Sequence, residues 1–218
     1  METTTTARRP LKTRQREWAK AIAGFLVRQR VHPNVISVMS VFCGSLAGVA
    51  LSSSSYSTPP HRVLLLLVAV VGIQLRLLCN MLDGMVAVEG GMQTKSGEIF
   101  NDLPDRISDI LILVPAGYAV PDLPYGPLLG WSAALLAVFT AYVRLMGGAA
   151  GLTQSFIGPM AKPHRMATLT VACLLSVVEL KLLHPGTLIW IALIIINIGC
   201  VITIWRRTLN IFRGLESR

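Results

Sequence analysis

The chain has 218 residues, of which 53% are hydrophobic and only 14% charged, with a mean hydropathy of +0.60. A soluble domain carries about 25% charged residues, so this composition excludes a chain surrounded by water and places most of it in lipid. The net charge of +9 does not point to nucleic acid, because eight of the 20 basic residues lie in positions 1–34 and four follow position 205. Basic clusters flanking apolar spans mark a cytoplasmic membrane face and anionic lipid head groups.

Residues 1–34 form a basic segment with no short apolar core ending at a small-residue cleavage site, so no cleaved secretory signal is expected. Within it Trp18, Ile22, Phe25 and Leu26 recur at helical spacing among Arg14, Lys20 and Arg28. That pattern predicts an amphipathic helix lying in the membrane interface and anchoring the first span. Six apolar runs follow, at 35–53, 63–87, 99–119, 126–147, 165–183 and 186–205, each near the ~20 residues that a bilayer requires. Ser/Pro, Gly-containing and Pro-rich turns separate them, including the tight His184-Pro185-Gly186 break.

The expected fold is therefore an all-α integral membrane protein, with an N-terminal interfacial helix, a six-helix domain over 35–205 and a basic tail over 206–218. An even number of spans puts both termini on one side. That side holds fifteen Lys and Arg residues against Arg62 and Lys181 on the other, with Arg76, Arg106 and Arg144 inside spans. The positive-inside rule then makes both termini cytoplasmic. Cys43, Cys79, Cys173 and Cys200 lie in or beside apolar runs without metal-ligand spacing, and read as small hydrophobes.

Acidic residues are concentrated in one place. Six of the 11 fall between positions 83 and 109: Asp83, Glu89, Glu98, Asp102, Asp105 and Asp109. Charges within or at the ends of membrane spans are functional candidates by default. Asn80 and Asp83 are i, i+3 on one helix, with Ala87 four further on, and Asn101 and Asp105 are i, i+4 on the next. A short loop makes these helices antiparallel neighbours, so their oxygen-bearing faces can meet at one end of the bundle. Oxygen ligands from two helices suit Mg²⁺ or Mn²⁺, ions that handle phosphate groups.

The stretch resembles the signature of the CDP-alcohol phosphatidyltransferases, D-x2-D-G-x2-A-R-x8-G-x3-D-x3-D. Here the frame reads Asn80, Asp83, Gly84, Ala87, Val88, Gly97, Asn101 and Asp105 with every spacing kept. Asn replaces the first and third aspartates and Val replaces the arginine. Some bacterial members carry the same Asn/Asp/Asn/Asp series. His32-Pro33-Asn34 looks like the family's entry into its first span. Arg144 and the segment from Gly158 to Arg165 look like its basic acceptor-site elements.

The resemblance implies a chemistry. A CDP-linked lipid binds at the cytoplasmic surface of the cell (inner) membrane, with its pyrophosphate on Mg²⁺ or Mn²⁺ held by Asn80, Asp83, Asn101, Asp105 and, if it turns inward, Asp102. Gly84, Ala87 and Gly97 allow close approach of the nucleotide. Asp105 acts as general base on a small alcohol acceptor, and CMP leaves. Arg144, Lys162 and Arg165 bind the acceptor's phosphate or polar head group. With carboxamides at two metal positions, one tight metal site is expected, or weaker binding overall. Arg76 or Lys95 are candidates to replace the missing arginine. The resemblance also brings in a homodimer, although no interface feature marks one.

Several readings stay open beside these. Asp83 and Asp105 can pair structurally with Arg76 or Arg106, Asp102 can be a solvated helix-start acid, and Arg144 can reach to the interface. A helix start near Asn101 with Pro104 in its first turn would make Asn101 partly a cap. Glu89, Glu98 and Asp109 read as loop, rim or pairing residues. The leading activity is transfer of a phosphatidyl group from CDP-diacylglycerol to a small polyol or polyol phosphate, in phospholipid biosynthesis. The alternatives are a CDP-amino-alcohol:diacylglycerol phosphotransferase, a catalytically impaired homologue acting as a lipid-binding or scaffold protein, and a small transporter.

Overall fold

A computed structural model describes residues 16–94, 96–179 and 184–217. Among the described residues there are seven α-helices and no strand. They are α1 (Glu17–Arg28), α2 (Pro33–Ser54), α3 (Pro59–Glu89), α4 (Gly97–Tyr118), α5 (Gly126–Ala149), α6 (Lys162–Glu179) and α7 (Thr187–Glu216).

Local chemistry sets the helix starts. Proline stands in the first turn of α2, α3 and α5, where its missing N–H costs nothing. His32 caps α2, its Nδ1 accepting from the Asn34 N–H at 3.3 Å. Before α7, Gly186 takes a φ of +96°, a conformation that a side chain would resist. The Glu179 carboxylate at the end of α6 accepts from the Gly186 and Leu188 N–H groups at 3.0 and 2.7 Å, so an acid satisfies the open donors of α7.

The helix bounds differ from the apolar runs in instructive ways. α3 begins at Pro59 and runs to Glu89, and α7 continues unbroken to Glu216 rather than stopping at 205. α4 begins at Gly97, after Ser96, with Pro104 and Pro115 inside it. Asn101 is thus an interior residue, not the cap that Pro104 implied. Residues 180–183 of the fifth apolar run, including Lys181, lie outside the described residues, as do residues 1–15 and Lys95.

Helices α2 to α7 alternate in direction. Ser37 near the start of α2 meets Asp83 near the end of α3. Lys162 at the start of α6 meets Asp105 in the first half of α4, and Arg144 near the end of α5 meets Asp102. Four of these helices (α2, α3, α5 and α7) are long and apolar enough to cross a membrane. α4 and α6 carry polar faces instead, with Asp105, Ser108 and Asp109 on one and Arg165, Ser176 and Glu179 on the other, all turned inward. Outward surfaces are apolar: Phe42, Leu64, Leu135, Ile198 and Val201 are all exposed. This is a membrane-protein fold, with lipid-facing hydrophobes around a partly polar interior.

The interior packs tightly because many of its residues are small. Ala47, Ala50, Ala69, Ala116, Ala133, Ala137 and Ala192 are buried in the main core. At Gly48 α2 comes so close to α4 that an added Cβ would collide with the Leu111 carbonyl oxygen. Pro115 supplies no N–H to that carbonyl, so the small residue lies against a backbone group that its own helix leaves open. α1 lies across the end of α3, with Ala19 and Ala23 buried against Met81, Leu82, Met85 and Val86. Its Trp18, Ile22 and Phe25 remain exposed, the apolar face that the spacing predicted.

Candidate active site

The signature residues of α3 and α4 meet where these helices cross. Asn80 donates its amide to Asp105 Oδ1 at 2.6 Å, joining the first and last positions of the frame. Asp83, one turn further along α3, is buried. Its Oδ2 accepts from Ser37 Oγ at 2.7 Å and its Oδ1 from the Gly84 N–H at 2.5 Å. Among the described residues Asp83 enters no salt bridge. Gly84 and Ala87 continue the same face and are half-buried, while Val88 is exposed.

Asp105 is the most heavily engaged group. Besides Asn80, its carboxylate receives the Lys162 ammonium and lies 3.5 Å from Arg76 Nη2 and 3.6 Å from Arg106 Nη2. The pairing of Asp105 with Arg76 and Arg106 that the sequence left open is therefore present. Arg76 reaches further, donating to the Asp105 carbonyl at 3.0 Å and to Asp109 Oδ1 at 2.7 Å. Asp109 Oδ2 accepts from Arg165 Nη2 at 2.8 Å. Arg165 also donates to Thr140 Oγ1 and to the Met160 carbonyl. Arg76, Asp109 and Arg165 are almost fully buried, so this chain of charges forms the floor of the site.

A second pair forms the rim. Arg144 Nη2 reaches both Asp102 oxygens, at 2.9 and 2.6 Å, and its guanidinium lies over the Phe156 ring, 5.3 Å from the centroid. Arg106 Nε donates to the Asp102 carbonyl at 3.3 Å, tying rim to centre. Asp102 is thus a partner of Arg144, and Arg144 is held by protein.

Of the candidates read from sequence, the fold brings Asn80, Asp83, Asp105 and Lys162 to one place, with Asp102 and Arg144 beside them. Arg165 lies behind this group, with Asp109 between it and Arg76. Asn101 is exposed, and Gly97 sits at the first turn of α4. Two contributors were not given a place in the site by the sequence. Ser37 carried no charge to attract notice, although it follows Pro33 by one turn. Asp109 lies four residues beyond Asp105 and seven beyond Asp102, so its helical face was legible, but its burial was not. Arg76 lies under Asp105 rather than beside Val88, and so supplies no accessible guanidinium at the missing arginine's position.

The donor set bears directly on a metal. Among the described residues no group of three or more His, Cys, Asp or Glu side chains is gathered closely enough to hold an ion. What is present is two carboxylates, Asp83 and Asp105, with the Asn80 carboxamide between them. Mg²⁺ and Mn²⁺ take few protein ligands and complete their shells with water and phosphate oxygen. The oxygens of Asp83, Asp105 and Asn80 are of the kind such ions take. Four acids (Asp83, Asp102, Asp105 and Asp109) stand among five cations (Arg76, Arg106, Arg144, Lys162 and Arg165), a balance that favours an anionic ligand.

Comparison with known proteins identifies a family, two sequence relatives and a solved structure of the same fold. A family model described as CDP-alcohol phosphatidyltransferase matches residues 30–205. The inner membrane protein YnbA of Escherichia coli is 25% identical over 185 residues, covering 83% of each chain. An uncharacterised protein of Aquifex aeolicus is 24% identical over 212 residues, covering 96% of this chain and 97% of its own. Among solved structures, the phosphatidylinositol phosphate synthase PgsA1 of Mycobacterium tuberculosis has the same fold. Its complex with manganese and citrate superposes with a TM-score of 0.72 at 19% identity, over 89% of this chain and 88% of that one. Its form with CDP-DAG bound gives 0.71 at 20% identity, over 89% and 93%.

Proposed function

The chain belongs to the CDP-alcohol phosphatidyltransferase family, and on that premise we propose that it moves a phosphatidyl group from CDP-diacylglycerol to a small polyol or polyol phosphate, releasing CMP. The observation that carries this reading is the contact of Asn80 with Asp105 at 2.6 Å beside the buried Asp83, which joins both halves of the family's signature. The neighbour with CDP-DAG bound supports the choice of donor.

In this reading Asp83, Asp105 and the Asn80 carboxamide oxygen hold one Mg²⁺ or Mn²⁺; the ion supplies neutralisation of the donor's pyrophosphate as charge develops on the leaving CMP. Gly84, Ala87 and Gly97 keep the nucleotide's path clear. Asp105 Oδ2, which Lys162 holds in the resting arrangement, takes the proton of the acceptor hydroxyl as its oxygen attacks phosphorus. Lys162 then turns to a phosphate oxygen, a move that its flexible stem allows. Arg144, positioned by Asp102 and Phe156, binds the acceptor's anionic group. Arg165 acts one layer below, by fixing Asp109 and with it Arg76 under the Asp105 backbone. Asn101 and Asp102 are assigned to the site's edge rather than to the ion.

The six helices α2 to α7 span the inner membrane, with both termini and the site on the cytoplasmic side, where the basic flanks of the sequence lie. The deciding experiment is CMP release by the purified protein with CDP-diacylglycerol or CDP-amino-alcohols, Mg²⁺ or Mn²⁺, and a panel of acceptors. Metal-dependent product that disappears in Asp83→Ala and Asp105→Ala is expected. Product that persists in both variants would overturn the site, and no product with any donor would return the reading of an impaired, lipid-binding homologue.

A further inference from the structure

At the end of the bundle remote from Asp105, a cavity of about 220 Å³ opens between three turns. Ser55 and Ser57 line it from the α2–α3 turn, Arg62 from the first turn of α3, Asp122 from the α4–α5 turn, and His184 from the segment before α7. Arg62 precedes Asp83 on α3 by 21 residues, about 32 Å at ~1.5 Å per residue. That is close to the ~30 Å hydrocarbon thickness of a bilayer, so the cavity belongs to the opposite membrane face.

Arg62 is 7% exposed, and among the described residues its buried Nε and Nη2 have no hydrogen-bond partner. Gly186 packs against it so closely that an added Cβ would stand 3.2 Å from Nη2. The charges of Glu179 and Asp122 act on the guanidinium, yet among the described residues neither forms a salt bridge with it. Glu179 is engaged instead with the backbone of Gly186 and Leu188. A buried guanidinium with open donors is costly and calls for a partner.

The rest of the wall narrows what that partner is. Ser55 and Ser57 donate their hydroxyl protons to the Ser52 and Ser53 carbonyls, both at 2.9 Å, so they can only accept from a ligand. Asp122 adds an exposed anionic acceptor. A deep cation with acceptors around it matches a ligand that joins an anionic oxygen group to a cationic donor. At a membrane face this is the chemistry of a zwitterionic phospholipid head group. We propose that the Arg62 cavity binds a phosphoethanolamine head group, its phosphate on Arg62 and its ammonium toward Asp122 and the serines. The assignment is independent of the transfer reaction at the other end of the bundle.

The test uses the full-length protein purified in detergent, with thermal stability and native mass spectrometry as readouts. The probes are short-chain phosphatidylethanolamine, short-chain phosphatidylglycerol, free O-phosphoethanolamine and inorganic phosphate. Wild type is expected to bind the phosphatidylethanolamine saturably, at least fivefold tighter than the phosphatidylglycerol. Arg62→Met removes an unpaired buried charge, so it is expected to fold and to lose this binding. Asp122→Asn changes an exposed residue and is expected to erase the preference for ethanolamine while retaining phosphate-dependent binding. Equal binding in wild type and both variants, or none in wild type, would overturn the site. Free O-phosphoethanolamine or phosphate binding as tightly as the lipid would overturn the lipid as its source.

Discussion

Arg76 and Asp109 form a 2.7 Å salt bridge between α3 and α4 in which neither side chain is exposed. Arg165 holds the other oxygen of the same carboxylate at 2.8 Å. One acid thus answers two buried guanidinium groups, and removing its charge leaves Arg165 without a salt bridge among the described residues and Arg76 with only its longer, 3.5 Å contact to Asp105. Asp109→Asn is expected to destabilise the protein by about 3–5 kcal/mol, the usual cost of breaking a buried pair from one side. Thermal unfolding in detergent measures it. A melting temperature within a degree or two of wild type would show that the three charges do not hold the bundle together.

Asn80→Asp bears on the metal. The substitution sets a carboxylate where the amide now donates to Asp105, so without metal the two acids repel and stability falls. With Mn²⁺ the extra charge binds the ion more strongly, by about tenfold or ~1.4 kcal/mol. The expected result is a lower melting temperature in chelator and a larger rise on adding Mn²⁺ than wild type shows. An unchanged response to Mn²⁺ would mean that position 80 does not face the ion.

The rim pair gives a test of whether Asp102 orients Arg144 or binds metal. If it orients Arg144, then Asp102→Asn and Arg144→Lys each raise the KM for the acceptor by about tenfold, and the double variant is little worse than either single one, a coupling of about 1 kcal/mol. The Mn²⁺ concentration needed for half-maximal activity stays where it is. A shift in that concentration in Asp102→Asn alone would make Asp102 a ligand.

Gly48→Ala probes the seam between α2 and α4. The new methyl group would meet the Leu111 carbonyl, and separating the helices to fit it is expected to cost about 1–3 kcal/mol, as overpacking does. Thermal unfolding of the purified variant checks this, and wild-type stability would show that α4 can move away freely.

Much of this molecule is legible in its sequence. The Trp18, Ile22 and Phe25 stripe marked the exposed face of α1, and the signature spacing led to the expectation that the Asn80/Asp83 and Asn101/Asp105 faces meet; Asn80 does lie against Asp105, while Asn101 is exposed. Other features are not legible, for physical reasons. Hydropathy locates apolar runs but cannot see a helix continue into polar sequence, so α7 reaches Glu216 although its apolar run ends at 205. Pro104 read as a first-turn proline, yet α4 begins seven residues earlier, at Gly97. Arg165 and Lys162 looked alike as cations three residues apart, but α6 turns one into the floor at 1% exposure and leaves the other at the cleft. Which side of a helix faces a neighbour depends on packing across the bundle, and one-dimensional spacing does not contain it. Arg62 read only as a basic residue on the far side.

The pattern of partners around α4 also constrains how the protein is made. Asp102, Asp105 and Asp109 each take a cation that is translated later: Arg144, Lys162 and Arg165 respectively. When α4 leaves the ribosome, those cations do not yet exist, and only Arg76 of α3 and the helix's own Arg106 are at hand. Three acids without their full complement of cations are poorly suited to lipid. Until α5 and α6 have been made, the acids of α4 therefore lack most of the cations that face them in the folded chain.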